Sequence, residues 1–138
     1  MTLKEMVNQV GRNSRGNDWT PLTIAAENQH FQVVKYLIEQ CEADPNIANS
    51  IEENALHYAA CYNRTNIELV ELLLTNMPLA SINKKDRGGS TPLDAAYYNN
   101  HSPLRQEIIA LLRSKGGKAN CFDENGNEVG DGNGDLNH

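Results

Sequence analysis

The stretch Thr20-Pro21-Leu22-Thr23-Ile24-Ala25-Ala26 comes back as Asn54-Ala55-Leu56-His57-Tyr58-Ala59-Ala60 and again as Thr91-Pro92-Leu93-Asp94-Ala95-Ala96-Tyr97. Leu22, Leu56 and Leu93 align at intervals of 34 and 37 residues, and Ala25, Ala59 and Ala96 keep step with them. Self-similarity at this period marks a stack of helical units, each unable to bury its apolar face alone. Helices approach closely only where side chains are small, so a stack needs its alanines at the same place in every copy. In the first copy Thr20 is placed to cap a helix, and Pro21 takes the first helical position, where a missing N–H costs nothing. A second helix is expected over about Phe31 to Gln40, where Val33, Val34, Leu37 and Ile38 form a face wide enough for two neighbours. Its counterparts are Glu68 to Leu74 and the run Ile108, Ile109, Leu111, Leu112. Arg113, Ser114, Lys115 and Gly116-Gly117 then form a helix stop. From the paired alanines to the second helix, Ala25 to Val33 is 8 residues, Ala59 to Leu69 is 10 and Ala96 to Ile108 is 12. The turn between the helices therefore grows along the array.

The repeated stretch, with the connections Ala43-Asp44-Pro45-Asn46 and Ala80-Ser81-Ile82-Asn83, resembles the ankyrin repeat. The likeness covers about residues 1–118, although the second copy lacks Thr-Pro. It implies an all-α solenoid of stacked helix-turn-helix repeats with projecting finger loops. The expected organisation is a cap helix over 2–11, repeats over about 16–48, 49–85 and 86–118, and an acidic Gly/Asn-rich tail over 119–138. Thr2 and Glu5 make a capping box before the stripe Leu3, Met6, Val7, Val10. Gly88-Gly89 supply a turn with φ > 0, whereas the other finger tips hold Glu52-Glu53 and Asn17-Asp18, so a less regular second finger is expected. Tyr97 replaces the second alanine in the last copy, where no further repeat is expected to pack. A fold-back of the tail would use Phe122 and Val129.

The chain has 138 residues, a net charge of −6 and a pI near 5.1. That balance disfavours nucleic acid and anionic membrane as partners, since both call for a basic patch. No apolar run approaches the roughly 20 residues of a membrane span, and residues 1–10 lack the apolar core of a secretory signal. Three widely spaced cysteines, Cys41, Cys61 and Cys121, read as reduced thiols and not as a disulfide framework. The expectation is an intracellular, cytoplasmic monomer, with a secreted effector as the alternative.

Catalytic chemistry finds little footing. No glycine-rich loop between strand and helix is present to cradle phosphate, and no histidine pair is spaced as zinc ligands. Asp123, Asn125 and Asn127, like Asp131, Asn133 and Asp135, alternate as in a calcium loop. The sixth position is however Glu128 or Leu136, and the twelfth is Gly134 or beyond the chain. No cofactor, metal or catalytic residue is assigned. By the resemblance, His57 is a structural histidine bonding neighbouring fingers. The resemblance also points to finger tips and exposed first-helix positions as the surface for a partner protein. These are Asn17, Trp19, Glu27 and Asn28 in the first repeat. The second supplies Ile51, Glu53, Cys61 and Tyr62, and the third Arg87, Ser90, Tyr98 and Asn99. The expected function is a non-catalytic protein–protein interaction module. The alternative is a scaffold whose acidic tail binds a basic partner or calcium.

Overall fold

A computed structural model describes residues 1–12, 18–62, 67–98, 103–123 and 125–129. The elements run α1 (Leu3–Val7), β1 (Gly11–Arg12), β2 (Asp18–Trp19), α2 (Pro21–Glu27), α3 (Phe31–Cys41), α4 (Ala55–Tyr62), α5 (Ile67–Thr75), α6 (Leu79–Ile82), α7 (Pro92–Tyr98) and α8 (Arg105–Ser114). The fold is an all-α solenoid. Its only sheet among the described residues is the pair β1–β2, antiparallel with Gly11 opposite Trp19. The inner helix α4 packs between α2 and α7, and α3, α5 and α8 form the outer row. Leu22, Val34, Leu56, Leu69, Val70, Leu73, Ile108 and Leu112 are fully buried between the rows. Ala26, Ala59 and Ala60 have no exposed surface, which is what lets the inner helices close up. No helix among the described residues is long and apolar enough to cross a membrane.

Each inner helix begins with the same reciprocal pair built from different chemistry. Thr20 N–H donates to Thr23 Oγ1 at 2.9 Å while Thr23 N–H donates to Thr20 Oγ1 at 3.2 Å. In the next repeat Asn54 N–H donates to His57 Nδ1 at 3.1 Å and His57 N–H to Asn54 Oδ1 at 3.2 Å. In the third, Thr91 N–H donates to Asp94 Oδ2 at 2.9 Å and Asp94 N–H to Thr91 Oγ1 at 3.2 Å. Two orphan backbone donors of the first turn are satisfied each time. The later pairs also reach forward. Asn54 Nδ2 donates to the Ser81 carbonyl at 3.0 Å and His57 Nε2 to the Ser90 carbonyl at 3.0 Å. Thr91 Oγ1 donates to the Lys118 carbonyl at 2.7 Å, and the Asp94 carboxylate accepts from the backbone of Asn120 and Cys121 at 2.9 and 2.8 Å.

The fingers repeat as strictly. Asn49 Oδ1 accepts from the amides of Ile51 and Glu53, Asp86 Oδ1 from Gly88 and Ser90, and Asp123 Oδ1 from Asn125 and Asn127. The amides of Asn49, Asp86 and Asp123 close each loop on the carbonyls of Glu53, Ser90 and Asn127. The second finger therefore makes the same turn as the third, against the expectation of irregularity. The difference lies in strain: the fourth residue has φ 66° at Glu52, where the other turns use Gly89 at 84° and Gly126 at 83°. Only glycine adopts that conformation without a steric penalty.

The turn Asp123–Asn127 is thus one more finger laid on the last repeat. Phe122 stacks on Tyr97 at 4.9 Å between ring centroids and meets Tyr98 edge-on at 4.8 Å. Tyr97 is consequently buried, covered by this segment instead of facing open space as the sequence had suggested. Val129 stays largely exposed. At the other end α1 opens with the Thr2–Glu5 capping box. Asn8 behind it donates to the Glu42 carbonyl and accepts from the Asp44 amide. Asn83 makes the same two bonds to Gly116 and Lys118, so Asn8 has the latching part at this end that Asn83 has further along.

Replacing Asp94 by alanine strands the buried amides of Asn120 and Cys121 together with that of Thr91. The expected cost is about 3–5 kcal/mol. Thr23→Ala, whose pair reaches no further repeat, is expected to cost about 1 kcal/mol. Urea unfolding of the two variants measures the difference.

Candidate partner-binding groove

Along an inner helix, positions three apart share a face. Ile24, Tyr58 and Ala95 occupy one row of the stack, and Glu27, Cys61 and Tyr98 the row one turn later. Facing them are the finger residues Trp19, Ile51, Glu53, Asp86 and Ser90. Between fingers and helices lies an open groove with a cavity of about 310 Å³, at the lower end of the roughly 300–1,000 Å³ of ligand pockets. Of the positions expected to meet a partner, Trp19, Glu27, Ile51, Glu53, Cys61, Ser90 and Tyr98 all line it. His57, Tyr58, Asp86 and Ala95 line it as well and were missed. The signal for Tyr58 and Ala95 was the three-residue spacing to Cys61 and Tyr98. For Asp86 it was the Asp-x-Gly-Gly turn.

Other expected positions lie elsewhere. Asn28 closes its own helix, donating from Nδ2 to the Ile24 carbonyl at 2.9 Å. Arg87 is exposed outside the groove, and its amide joins the fingers by donating to the Ile51 carbonyl at 3.0 Å. Asn17, Asn99 and the side chain of Tyr62 lie outside the described residues.

Trp19 departs most from its expected exposure. It is only 6% exposed and packs on Tyr58 at 5.1 Å between centroids. Pairing of β1 with β2 fixes its backbone, and the indole then fills the space beside α4. Its Nε1–H is buried with no hydrogen-bond acceptor among the described residues. By contrast Ile51 is 39% and Tyr98 46% exposed. The Tyr98 hydroxyl donates to Glu128 Oε2 at 3.2 Å, which ties the groove rim to the last finger.

The groove is electronegative. Glu53 Oε1 accepts from the Tyr58 hydroxyl at 2.6 Å, and the Tyr58 hydroxyl oxygen itself accepts from Asn49 Nδ2 at 2.7 Å. Burial and the Glu53 carboxylate push the Tyr58 phenol far up. Burial, assisted by Glu53, also raises the Cys61 thiol, so it is not a thiolate near neutral pH. His57 is held below its ordinary value because burial outweighs the Ser90 carbonyl and the charges of Asp86 and Glu53. With Nδ1 accepting from Asn54 and Nε2 donating to Ser90, this ring is neutral and both nitrogens are engaged. Among the described residues no three His, Cys, Asp or Glu side chains gather as metal ligands.

A stacked solenoid with a shallow groove and repeated fingers is the architecture of a repeat-type recognition protein. The family model for ankyrin repeats (3 copies) matches residues 2–74 and 41–125, and the chain belongs to the ankyrin-repeat family. Such repeats are generally protein–protein interaction modules, and the family is typically non-catalytic. The chain is also similar to an NAD-dependent deacetylase, sir2B, of Dictyostelium discoideum, at 32% identity over 98 residues. That alignment covers 70% of this chain but only 12% of the relative.

Trp19→Ala is expected to lower stability by about 3–5 kcal/mol, as emptying a buried aromatic site does. Differential scanning calorimetry measures it. The pH dependence has a definite sign. Below about pH 6.5 the unfolded chain protonates His57 while the native protein does not, so the native state binds fewer protons. Stability is therefore expected to fall as pH drops below about 6.5, with a slope of at most ~1.4 kcal/mol per unit from this group. Thermal melts between pH 5 and 7.5, with NMR titration of the His57 ring, measure both quantities.

Proposed function

We propose that the chain is a non-catalytic interaction module that receives a partner protein along its finger turns and the groove behind them, acting as a monomer. The observation that carries this reading is the groove. It gathers residues of all three repeats, and Ile51, Glu27 and Tyr98 remain accessible there although stacking does not require them to be. Half-exposed apolar and aromatic groups around a concavity are the usual anchors of a protein interface.

The same groove argues against catalysis. A general base needs a free lone pair within reach of its substrate, yet His57 has both ring nitrogens committed to backbone. A cysteine nucleophile needs an activating neighbour, whereas Glu53 and burial both act against ionisation of Cys61. Calcium binding by the tail finds no support at Asp123, whose Oδ1 already accepts two backbone amides.

The paired variant Ile51→Ser/Tyr98→Ala is expected to lose the partners retained by the wild type in affinity capture. Its circular dichroism should stay helical. A control on the outer helix, Lys35→Ala/Tyr36→Ala, should keep them. Loss of partners in the control with retention in the groove variant would overturn the reading.

A further inference from the structure

Three carboxylates, Glu27, Glu53 and Asp86, line the groove, and among the described residues no Lys or Arg lines it. Two described cations near the fingers, Lys84 and Arg87, are directed to a carboxylate outside it. Lys84 pairs with Glu52 at 2.8 Å, and Arg87 adds a weaker pull on the same carboxylate. Glu27 makes no hydrogen bond or ion pair among the described residues. At the Tyr98 rim stands a fourth acid, Glu128. Carboxylates gathered with low-dielectric walls and no internal counter-charge focus a negative potential into the concavity. Burial first, and then the Glu53 carboxylate, raises both the Tyr58 phenol and the Cys61 thiol.

A second observation is independent of charge. Trp19 lines the groove, is buried to all but 6% of its surface, and its Nε1–H has no acceptor among the described residues. Buried donors are nearly always paired.

We infer that the groove seats a basic segment of a partner protein, an Arg or Lys whose cation lies among Glu27, Glu53 and Asp86 and whose stem covers Ile51 and Tyr98. This rests on the interaction-module reading above and narrows it to a cationic occupant. The exposed Tyr98 ring adds a face on which a guanidinium or ammonium is attracted. The aliphatic part of Arg or Lys suits the apolar rim, since these side chains bury their stems while the head stays polar.

The test uses the whole chain and libraries of peptides about a dozen residues long, with Arg, Lys, Gln or Glu fixed at the centre and the flanks randomised. The single tryptophan gives one indole N–H resonance, which reports occupation of the groove directly. Arg- or Lys-fixed pools are expected to be retained about tenfold over Gln-fixed pools, and the bound peptides should shift the Trp19 indole signal. Glu27→Gln with Glu53→Gln, which leaves the Tyr58 hydroxyl an acceptor, should weaken the selected peptides about tenfold without changing the melting temperature. Raising salt from ~50 to ~300 mM should weaken them further. If Gln- or Glu-fixed peptides bind equally well and move the indole, the cationic inference falls while the interaction module stands. If no pool moves the indole, both fall.

Discussion

The structure depends on one small interaction, the reciprocal bond between the residue before each inner helix and the residue three places into it. Thr20–Thr23, Asn54–His57 and Thr91–Asp94 each start a helix at a fixed point and a fixed angle. In the second and third repeats the same side chains also hold the next finger, through the Ser90 carbonyl and through the amides of Asn120 and Cys121. A neutral imidazole gives one forward bond. A carboxylate, free to accept several, gathers three backbone amides. That progression from hydroxyl to imidazole to carboxylate explains how the third repeat anchors a further finger.

Finger height follows from this. Because His57 Nε2 is tied to Ser90, the third finger cannot swing away from α4, and the groove between them keeps its width. The Asn49, Asp86 and Asp123 turns set the pitch from one finger to the next. The turn at Glu52 shows that this pitch outweighs local preference, since the chain accepts a left-handed non-glycine residue to preserve it. An interaction surface of this kind is rigid at the backbone, and its chemistry is left to the few side chains that neither cap nor stack.

Much of this was legible in the residues. The recurrence of Leu22, Leu56 and Leu93 with their alanines specifies the stack because packing repeats only if volume repeats. His57 was expected to bond a neighbouring finger by family likeness, and it does. Trp19 was harder: its row suggested exposure, and only the pairing of Gly11 with Trp19 turns the indole inward against Tyr58. The final finger was hidden for a different reason. Its Gly, Asn and Asp content reads as loose chain by composition, and the order comes from Asp123 repeating the bonds of Asp86 37 residues on. Composition discards such positional information. The stacking of Phe122 on Tyr97 then supplies the apolar contact that composition alone understates.

The distribution of charge around the groove is not what stability alone would select. Glu52 meets Lys84 at the surface, where an exposed pair contributes little, about 0–1 kcal/mol. One residue along, Glu53 directs its carboxylate to a phenol inside the concavity, and Glu27 across the groove has no cation among the described residues. A lysine at the exposed position Ile51 would offset part of this charge at little packing cost. Structural demands do account for Asp86, whose Oδ1 shapes the third turn. They do not account for Glu27, whose position in the row needs only a helix former. A residue the fold does not need therefore adds to the negative charge of the groove.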